Sequence, residues 1–362
     1  MNILFFASDY NIGLSSLLTD QLLALHNLGS NVLAVSGDKE QECGLRTKLE
    51  GQNVPLIIIN ELDEHANFSY LSKVLSELIL KNDINTIHVQ NNWQLALITS
   101  VRFRLICKKR LKVIYTLHGF RHNSKIKSVV AQILIGTALF LFANKVICMC
   151  SYLRNKFKFI SYKIVLLPLG VSDNFFTKTH QELPHNGLQM IFPAQFRKGK
   201  NQDIIINAFA QHIKENHDNV SHLILPGTGQ LLEKMKDLAK SLNIENRVTF
   251  PGQCTKEEIY NLYLKCNIGI ISSNSETFGQ SIVESFVLGR CVISTPVGIA
   301  KDIIINYKTG FLYNTEEELS NILSMLYKNP DSIQKIGLTN YSLRNQFEWE
   351  TVIKKYLDIV LD

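Results

Sequence analysis

Glu276 and Glu284 bracket the segment Ser275-Glu-Thr-Phe278-Gly279-Gln280-Ser-Ile-Val-Glu284, which follows a short apolar run, Ile268–Ile271, and opens a helical pattern. A helix starting near Phe278 or Gly279 leaves its first amide N–H groups without intrahelical partners, and with the helix dipole these form a place for an anion. Gly279 lets a ligand approach the backbone closely. Glu284 then lies about a turn and a half into the helix, and Glu276 sits on the loop before it. Ionised carboxylates accept several hydrogen bonds, so two of them around an anion site suit vicinal hydroxyls. The same spacing also suits a capping acid followed by an ordinary acid on the helix face.

Three further segments carry groups of the same kind. Arg197, Lys198 and Lys200 crowd a strand-to-helix loop, Pro193-Ala-Gln-Phe-Arg-Lys-Gly-Lys-Asn-Gln202, where cations can meet phosphate oxygens; a solvated loop looks the same. Pro226-Gly227-Thr-Gly229 is part of a dinucleotide fingerprint whose third glycine is replaced by Leu232, and alone it marks only a tight turn. In the first half, Asn11-Ile-Gly13-Leu-Ser-Ser16 links a strand to a helix and could turn backbone N–H groups toward a diphosphate, or simply cap the helix. His118, in Tyr115-Thr-Leu-His-Gly-Phe120, ends another strand, at the edge where ligands of open α/β sheets bind.

Short apolar runs alternating with longer helical patterns position these groups, and the alternation predicts two parallel-sheet α/β units. The first half holds strand runs at 2–7, 31–36, 54–59, 86–90, 113–117, 146–149 and 164–167, and the second at 189–193, 222–225, 248–250, 268–271 and 291–294. The polar stretch 177–187 reads as a linker. The last helix, near 349–361, places Val352, Ile353, Tyr356, Leu357 and Val360 at helical spacing and needs an apolar surface to cover.

With 362 residues, 46% of them hydrophobic and 19% charged, the chain is neither disordered nor low-complexity. The net charge of +6 is unevenly placed: residues 1–185 hold 20 Lys and Arg against 13 Asp and Glu, whereas 186–362 hold 18 against 19. Between Asp83 and Asp173 there is no acid at all. Such a field attracts phosphate-rich surfaces, although a solvated basic face reads alike. No nucleic-acid-binding signature accompanies it. Residues 128–144 are uncharged and close to spanning length, but a span would divide one sheet across the bilayer, so a buried or membrane-facing helix is expected. The start reads as a first strand rather than a signal peptide, and seven cysteines without a C-x-x-C pair suit reduced thiols, so the protein is expected to be cytoplasmic.

No D-x-D, H-E-x-x-H, G-x-x-x-x-G-K-[ST] or G-x-S-x-G motif is present. What remains, in order, is the Gly13 loop, Thr116-Leu-His118-Gly, Leu169-Gly170-Val, Arg197-Lys-Gly-Lys200-Asn, Pro226-Gly-Thr-Gly229, Val248-Thr-Phe-Pro-Gly252, Glu276-x7-Glu284, Thr295-Pro-Val-Gly298 and Thr309-Gly310-Phe-Leu. This array resembles the retaining glycosyltransferases of family 4, the glycogen-synthase-like group, over nearly the whole chain.

The resemblance implies an α/β fold of the GT-B type, two Rossmann-like doubly wound domains facing a central cleft. Residues 1–177 would bind the acceptor, 187–345 the nucleotide-sugar donor, and 346–362 would pack back on the first domain. It implies that Lys200 and Arg197 neutralise the donor diphosphate, that Glu284 binds ribose hydroxyls, and that Glu276 with Phe278, Gly279 and Gln280 holds the transferred sugar and the phosphates. His118 would contact the sugar at the reacting end, and Gly13 and Gly229 would border the donor. The chain departs from the family where Ala194-Gln195 replaces a frequent Gly-Arg, leaving Arg197 to take that arginine's place, and where Gly13 stands without a second glycine. A UDP- or GDP-sugar is expected as substrate, with no cofactor and no metal. The expected acceptor is a glycan or glycolipid of cell-surface polysaccharide assembly, met at the inner face of the plasma membrane through the basic 102–163 stretch. A soluble transferase making a small glycoside or sugar phosphate, and a non-catalytic nucleotide-binding module, are the alternatives.

Overall fold

The computed structural model describes residues 2–7, 12–37, 49–59, 62, 67–118, 125–176 and 182–361, the side chains of 12–17 and 125–129 excepted. It divides into two compact units, Met1–Gly170 with Trp349–Asp362, and Val171–Glu348.

The first unit is built on seven parallel strands: β1 (Asn2–Phe6), β2 (Asn31–Ser36), β3 (Leu56–Ile58), β4 (Thr86–Val89), β5 (Lys112–Leu117), β6 (Lys145–Cys148) and β7 (Ile164–Leu166), in the order β3-β2-β1-β4-β5-β6-β7. Ile3 to Phe6 are fully buried, as a strand covered on both faces requires. The helices are α1 (Ile12–Asn27), α2 (Phe68–Lys81), α3 (Asn92–Leu105), α4 (Lys125–Phe142) and α5 (Ser151–Lys156). Asn67 and Asn91 cap α2 and α3, their side chains accepting from Tyr70 N at 3.2 Å and Gln94 N at 3.1 Å.

The second unit carries β8 (Gln189–Ile191), β9 (His222–Pro226), β10 (Val248–Gly252), β11 (Ile268–Ile271), β12 (Cys291–Ser294) and β13 (Gly310–Leu312), all parallel, in the order β10-β9-β8-β11-β12-β13. Its helices are α6 (Gln202–Asn216), α7 (Leu232–Ser241), α8 (Lys256–Leu264), α9 (Gln280–Val287), α10 (Ala300–Ile303), α11 (Glu316–Lys328) and α12 (Pro330–Leu343). Both sheets are doubly wound, and strand order reverses between β1 and β4 and between β8 and β11. Loops at the carboxyl ends of those strands flank the crevice such sheets use for ligands.

Each of the twelve expected strand runs holds a strand, and β13 is an additional one. The units part at Gly170/Val171, upstream of the expected linker. Val171 N donates to Phe347 O at 2.9 Å, and the Phe175 ring meets those of Tyr260 and Tyr263 edge-on at 5.9 and 6.1 Å, so the chain already belongs to the second unit there. Residues 177–181 lie outside the described residues; after them Leu183 is buried, and Asn267 Nδ2 donates to Pro184 O and Gly187 O at 2.9 Å each.

The last helix, α13 (Trp349–Leu361), belongs to the first unit and buries Val352, Ile353, Tyr356 and Val360 there. The Tyr356 ring stacks on that of His88, with centroids 5.3 Å apart. Lys112 Nζ donates to Val360 O at 2.6 Å. A Cβ on Gly170 would lie 2.3 Å from the Trp349 indole, so the close seating of α13 requires glycine at that position.

Candidate functional site

In the second unit four loops rise from the carboxyl ends of β8, β9, β11 and β12, and hydrogen bonds join them. Asn201 Nδ2 donates to Ser272 O at 2.9 Å, Ser272 Oγ donates to Lys200 O at 3.0 Å, and Asn274 N donates to Gly199 O at 2.9 Å, so the loops after β8 and β11 lie edge to edge. Gly229, with φ of 147°, turns the β9 loop against the β8 loop; a Cβ there would stand 2.4 Å from Phe196 O. Ile299 N donates to Phe278 O at 2.8 Å and ties in the β12 loop.

This frame brings Lys200 and Glu276 together: Nζ lies 2.5 Å from Oε1, and the two side chains are 15% and 16% exposed. One step further, Gly279 takes φ of 93° at the N-cap of α9, a left-handed conformation suited to glycine. The backbone N–H groups of Phe278, Gly279 and Gln280 donate to no acceptor among the described residues. Free amides at a helix start beside a lysine favour an anion. Arg197 is on the same loop as Lys200, half-exposed, and its guanidinium has no ion-pair partner among the described residues. Phe278 is buried, and Gln280 is half-exposed in the first turn of α9.

Glu284 sits within α9 and is 9% exposed. Burial pushes its carboxyl up to about 7, opposed by the Lys256 charge and by hydrogen bonds from Gln280 and Tyr263. The Tyr263 hydroxyl stands 3.5 Å from its Oε2.

In the first unit His118 follows β5, and its Nε2 lies 2.5 Å from Oε1 of Gln90, which follows the neighbouring β4. Burial lowers the His118 imidazole to about 4, so it is neutral at pH 7. Beneath it His88, fully buried, is held between Thr116 Oγ1 at 2.7 Å and the Tyr356 hydroxyl at 2.9 Å. Gly13 lies in the first turn of α1, which begins at Ile12, so it is helical where a loop is expected; residues 8–11 lie outside the described residues.

Three side chains join the candidates that sequence reasoning does not single out. Gln90 holds His118 and has a buried Nε2 without a partner among the described residues; Ser273 Oγ is likewise unpartnered just past β11; and Asn201 binds the β8 and β11 loops together. Their only signal is position, one or two residues past a parallel strand, or at the turn into a helix.

Comparison with known proteins finds similarity to glycosyltransferases in sequence and in fold. Residues 174–342 match the family model described as glycosyl transferases group 1. An uncharacterized glycosyltransferase of Methanocaldococcus jannaschii is 24% identical over 317 residues, 84% of each chain. A probable sucrose-phosphate synthase of Thermosipho melanesiensis is 27% identical over 210 residues, 56% of this chain and 48% of that one. The crystal structure of Anabaena HepE in complex with UDP superposes with a TM-score of 0.81 at 19% identity, covering all of both chains. With its two Rossmann-like parallel-sheet units the chain has the GT-B fold, and its second unit, across the loops after β8, β9, β11 and β12, matches the group 1 glycosyl transferases.

Proposed function

We propose that the protein is a retaining, metal-independent hexosyltransferase that moves a sugar from a UDP- or GDP-sugar to a lipid-diphosphate-linked glycan, working at the cytoplasmic face of the membrane in cell-surface polysaccharide assembly. The observation that carries the donor part is the convergence of Lys200, Glu276 and the free amides at the start of α9. Departure of a nucleoside diphosphate builds negative charge on the leaving oxygens, and preorganised donors in a partly dry site stabilise it. Lys200 and Arg197 supply fixed cations, and the Phe278, Gly279 and Gln280 amides supply the helix N-terminus. Glu276 orients Lys200 before the donor arrives and accepts from sugar hydroxyls once the diphosphate has drawn the ammonium away. Glu284 accepts from the ribose. Gly229 sets the β9 loop against the β8 loop at the donor's border, and Gly13 would let the diphosphate approach the backbone. Neutral His118, held by Gln90, exchanges hydrogen bonds with a sugar hydroxyl without adding charge. The leaving phosphate helps to deprotonate the acceptor on the same face, and no nucleophilic carboxylate is required.

Titration calorimetry with UDP, GDP and ADP and their sugar conjugates, with and without EDTA, tests the donor part. Tight EDTA-insensitive binding of one nucleoside diphosphate, weakened in Lys200→Ala, is expected; no binding of any of them overturns it. A second reading, a transferase making a soluble sugar phosphate, is favoured by the sucrose-phosphate synthase relative. Turnover with a water-soluble acceptor and none with a lipid-linked one would select it.

A further inference from the structure

Helix α4 turns an apolar stripe to solvent. Val130, Ile133, Leu134, Thr137 and Leu141 recur along one helical face, and all five are exposed, Leu134 at 66% and Leu141 at 59%. The end of α3 and the residue beyond it add Phe103 and Ile106, at 67% and 73%. Two grooves run beside these side chains. One, of about 380 Å³, lies between α3 and α4 and is lined by Leu95, Ala96, Leu134, Ile135, Ala138 and Phe142 among others. The other, of about 430 Å³, shares Thr99 and Phe142 with it and has Phe103, Ile106 and Leu141 in its wall and Arg102, Lys109 and Arg110 at its edge. Soluble monomers rarely leave so much contiguous apolar surface uncovered.

Cations surround the patch. Arg102 Nη1 donates to Phe142 O at 3.0 Å, and Lys163 Nζ donates to Ala143 O at 2.8 Å, so the carboxyl end of α4 is capped by two cations that stay at the patch rim. Lys108 and Arg110 are exposed beside them. No acid occurs between Asp83 and Asp173, and Asp83 itself pairs with Lys109. A second copy of the chain, docked face to face by a two-fold axis, would set these cations against their own counterparts. Among the described residues no helix is long and apolar enough to cross a membrane. Exposed leucines edged by cations, of which Lys108 and Arg110 are exposed, instead match a surface whose outer layer is anionic and whose interior is hydrocarbon.

We propose that the α3–α4 face seats the protein on an anionic lipid bilayer, with α4 in the headgroup plane, Ile133, Leu134 and Leu141 in the acyl layer, and Arg102, Lys108 and Arg110 on lipid phosphates. The inference rests on the membrane-acceptor reading above and names its surface. The test uses the full chain, co-sedimented with vesicles of phosphatidylcholine alone or mixed with phosphatidylglycerol. Binding to the mixed vesicles and not to the neutral ones is expected, weakening as salt rises. Ile133→Ser/Leu134→Ser/Leu141→Ser should lower partitioning by at least about tenfold, and Lys108→Glu/Arg110→Glu by about fivefold or more per cation replaced. Leu134→Trp, a milder variant, should show emission quenched by brominated lipid more strongly than the wild type. Equal partitioning of the triple variant, equal binding to both vesicles, or a dimer that the triple variant dissolves overturns the proposal. Nucleoside diphosphate affinity, measured on the same preparations, should be unchanged in all variants. Vesicle binding without nucleotide binding would remove the donor reading and leave this surface standing.

Discussion

Lys200 and Glu276, 76 residues apart in the chain, form an ion pair at 2.5 Å across the point where the second sheet reverses its strand order. In the proposed function the cation of this pair serves the phosphates and the carboxylate the sugar, and the two substitutions should therefore separate. Lys200→Ala should weaken nucleoside diphosphate binding about 10- to 100-fold, the scale of a lost charge-assisted contact. Glu276→Gln releases the ammonium and should leave diphosphate affinity equal or higher while transfer slows. Calorimetry with the diphosphate and turnover with the sugar conjugate distinguish them; parallel losses in both assays would contradict separate roles.

Glu284 should make nucleotide affinity pH-dependent. Burial raises its carboxyl from 4.5 to about 7, so near neutrality it is part protonated, and in the proposed ribose-binding role only the ionised form would accept from both hydroxyls. Affinity should climb between pH 6 and 8 in the wild type and stay flat in Glu284→Gln. The same shift costs the folded state stability as pH rises from the unfolded value through 7, by about 3 kcal/mol at most. Glu284→Gln should accordingly unfold at higher denaturant than the wild type at pH 8.

Seating of the terminal helix should fail in Gly170→Ala. The added methyl would lie 2.3 Å from the Trp349 indole, below any tolerable contact, so either the ring or the backbone must move. Overpacking of this kind costs about 1–3 kcal/mol. A lowered melting temperature, with earlier proteolytic release of residues near 349–361, is the expected result.

Sequence reading reaches the strands because parallel strands buried on both faces are continuous apolar runs, as in Ile268–Ile271 and Cys291–Ser294. It does not reach β13, where Gly310-Phe-Leu is three residues long and opens with a glycine at φ of 153°. The linker expected at 177–187 looks polar and loose, yet Leu183 is buried and Asn267 binds the backbone carbonyls of Pro184 and Gly187 that follow it; composition cannot reveal bonds made from 80 residues away. Lys200 and Glu276 stand out in the sequence as charged groups beside strand ends, and the structure adds that they pair with each other. Gln90 is not, since an amide after a strand is ordinary until His118 arrives beside it. Likewise the apolar run at 128–144 suits core or surface equally, and only the packing of α4 shows which of its faces is covered.

The His88 cluster should set the acid limit of the first unit. Burial lowers His88 from 6.5 to about 3, helped by the neighbouring His118, because a charged imidazole between Thr116 and Tyr356 would have no solvent. A group whose folded pKa is depressed contributes stability that is fully present above the unfolded value. Below pH 6.5 the unfolded chain takes up a proton that the folded chain refuses, and stability falls by about 1.4 kcal/mol per pH unit for this residue until pH nears 3. Urea unfolding between pH 7.5 and 4.5 should show that slope, and His88→Gln should lose about one proton's worth of it while being less stable at pH 7.5. Tyr356→Phe removes one partner of the ring, at 2.9 Å, and leaves the buried Nδ1 unsatisfied, a loss of about 1–3 kcal/mol. Because His88 stays neutral and buried in that variant, its pH slope should match the wild type, and a flattened slope there would mean that Tyr356, rather than burial, keeps the imidazole uncharged.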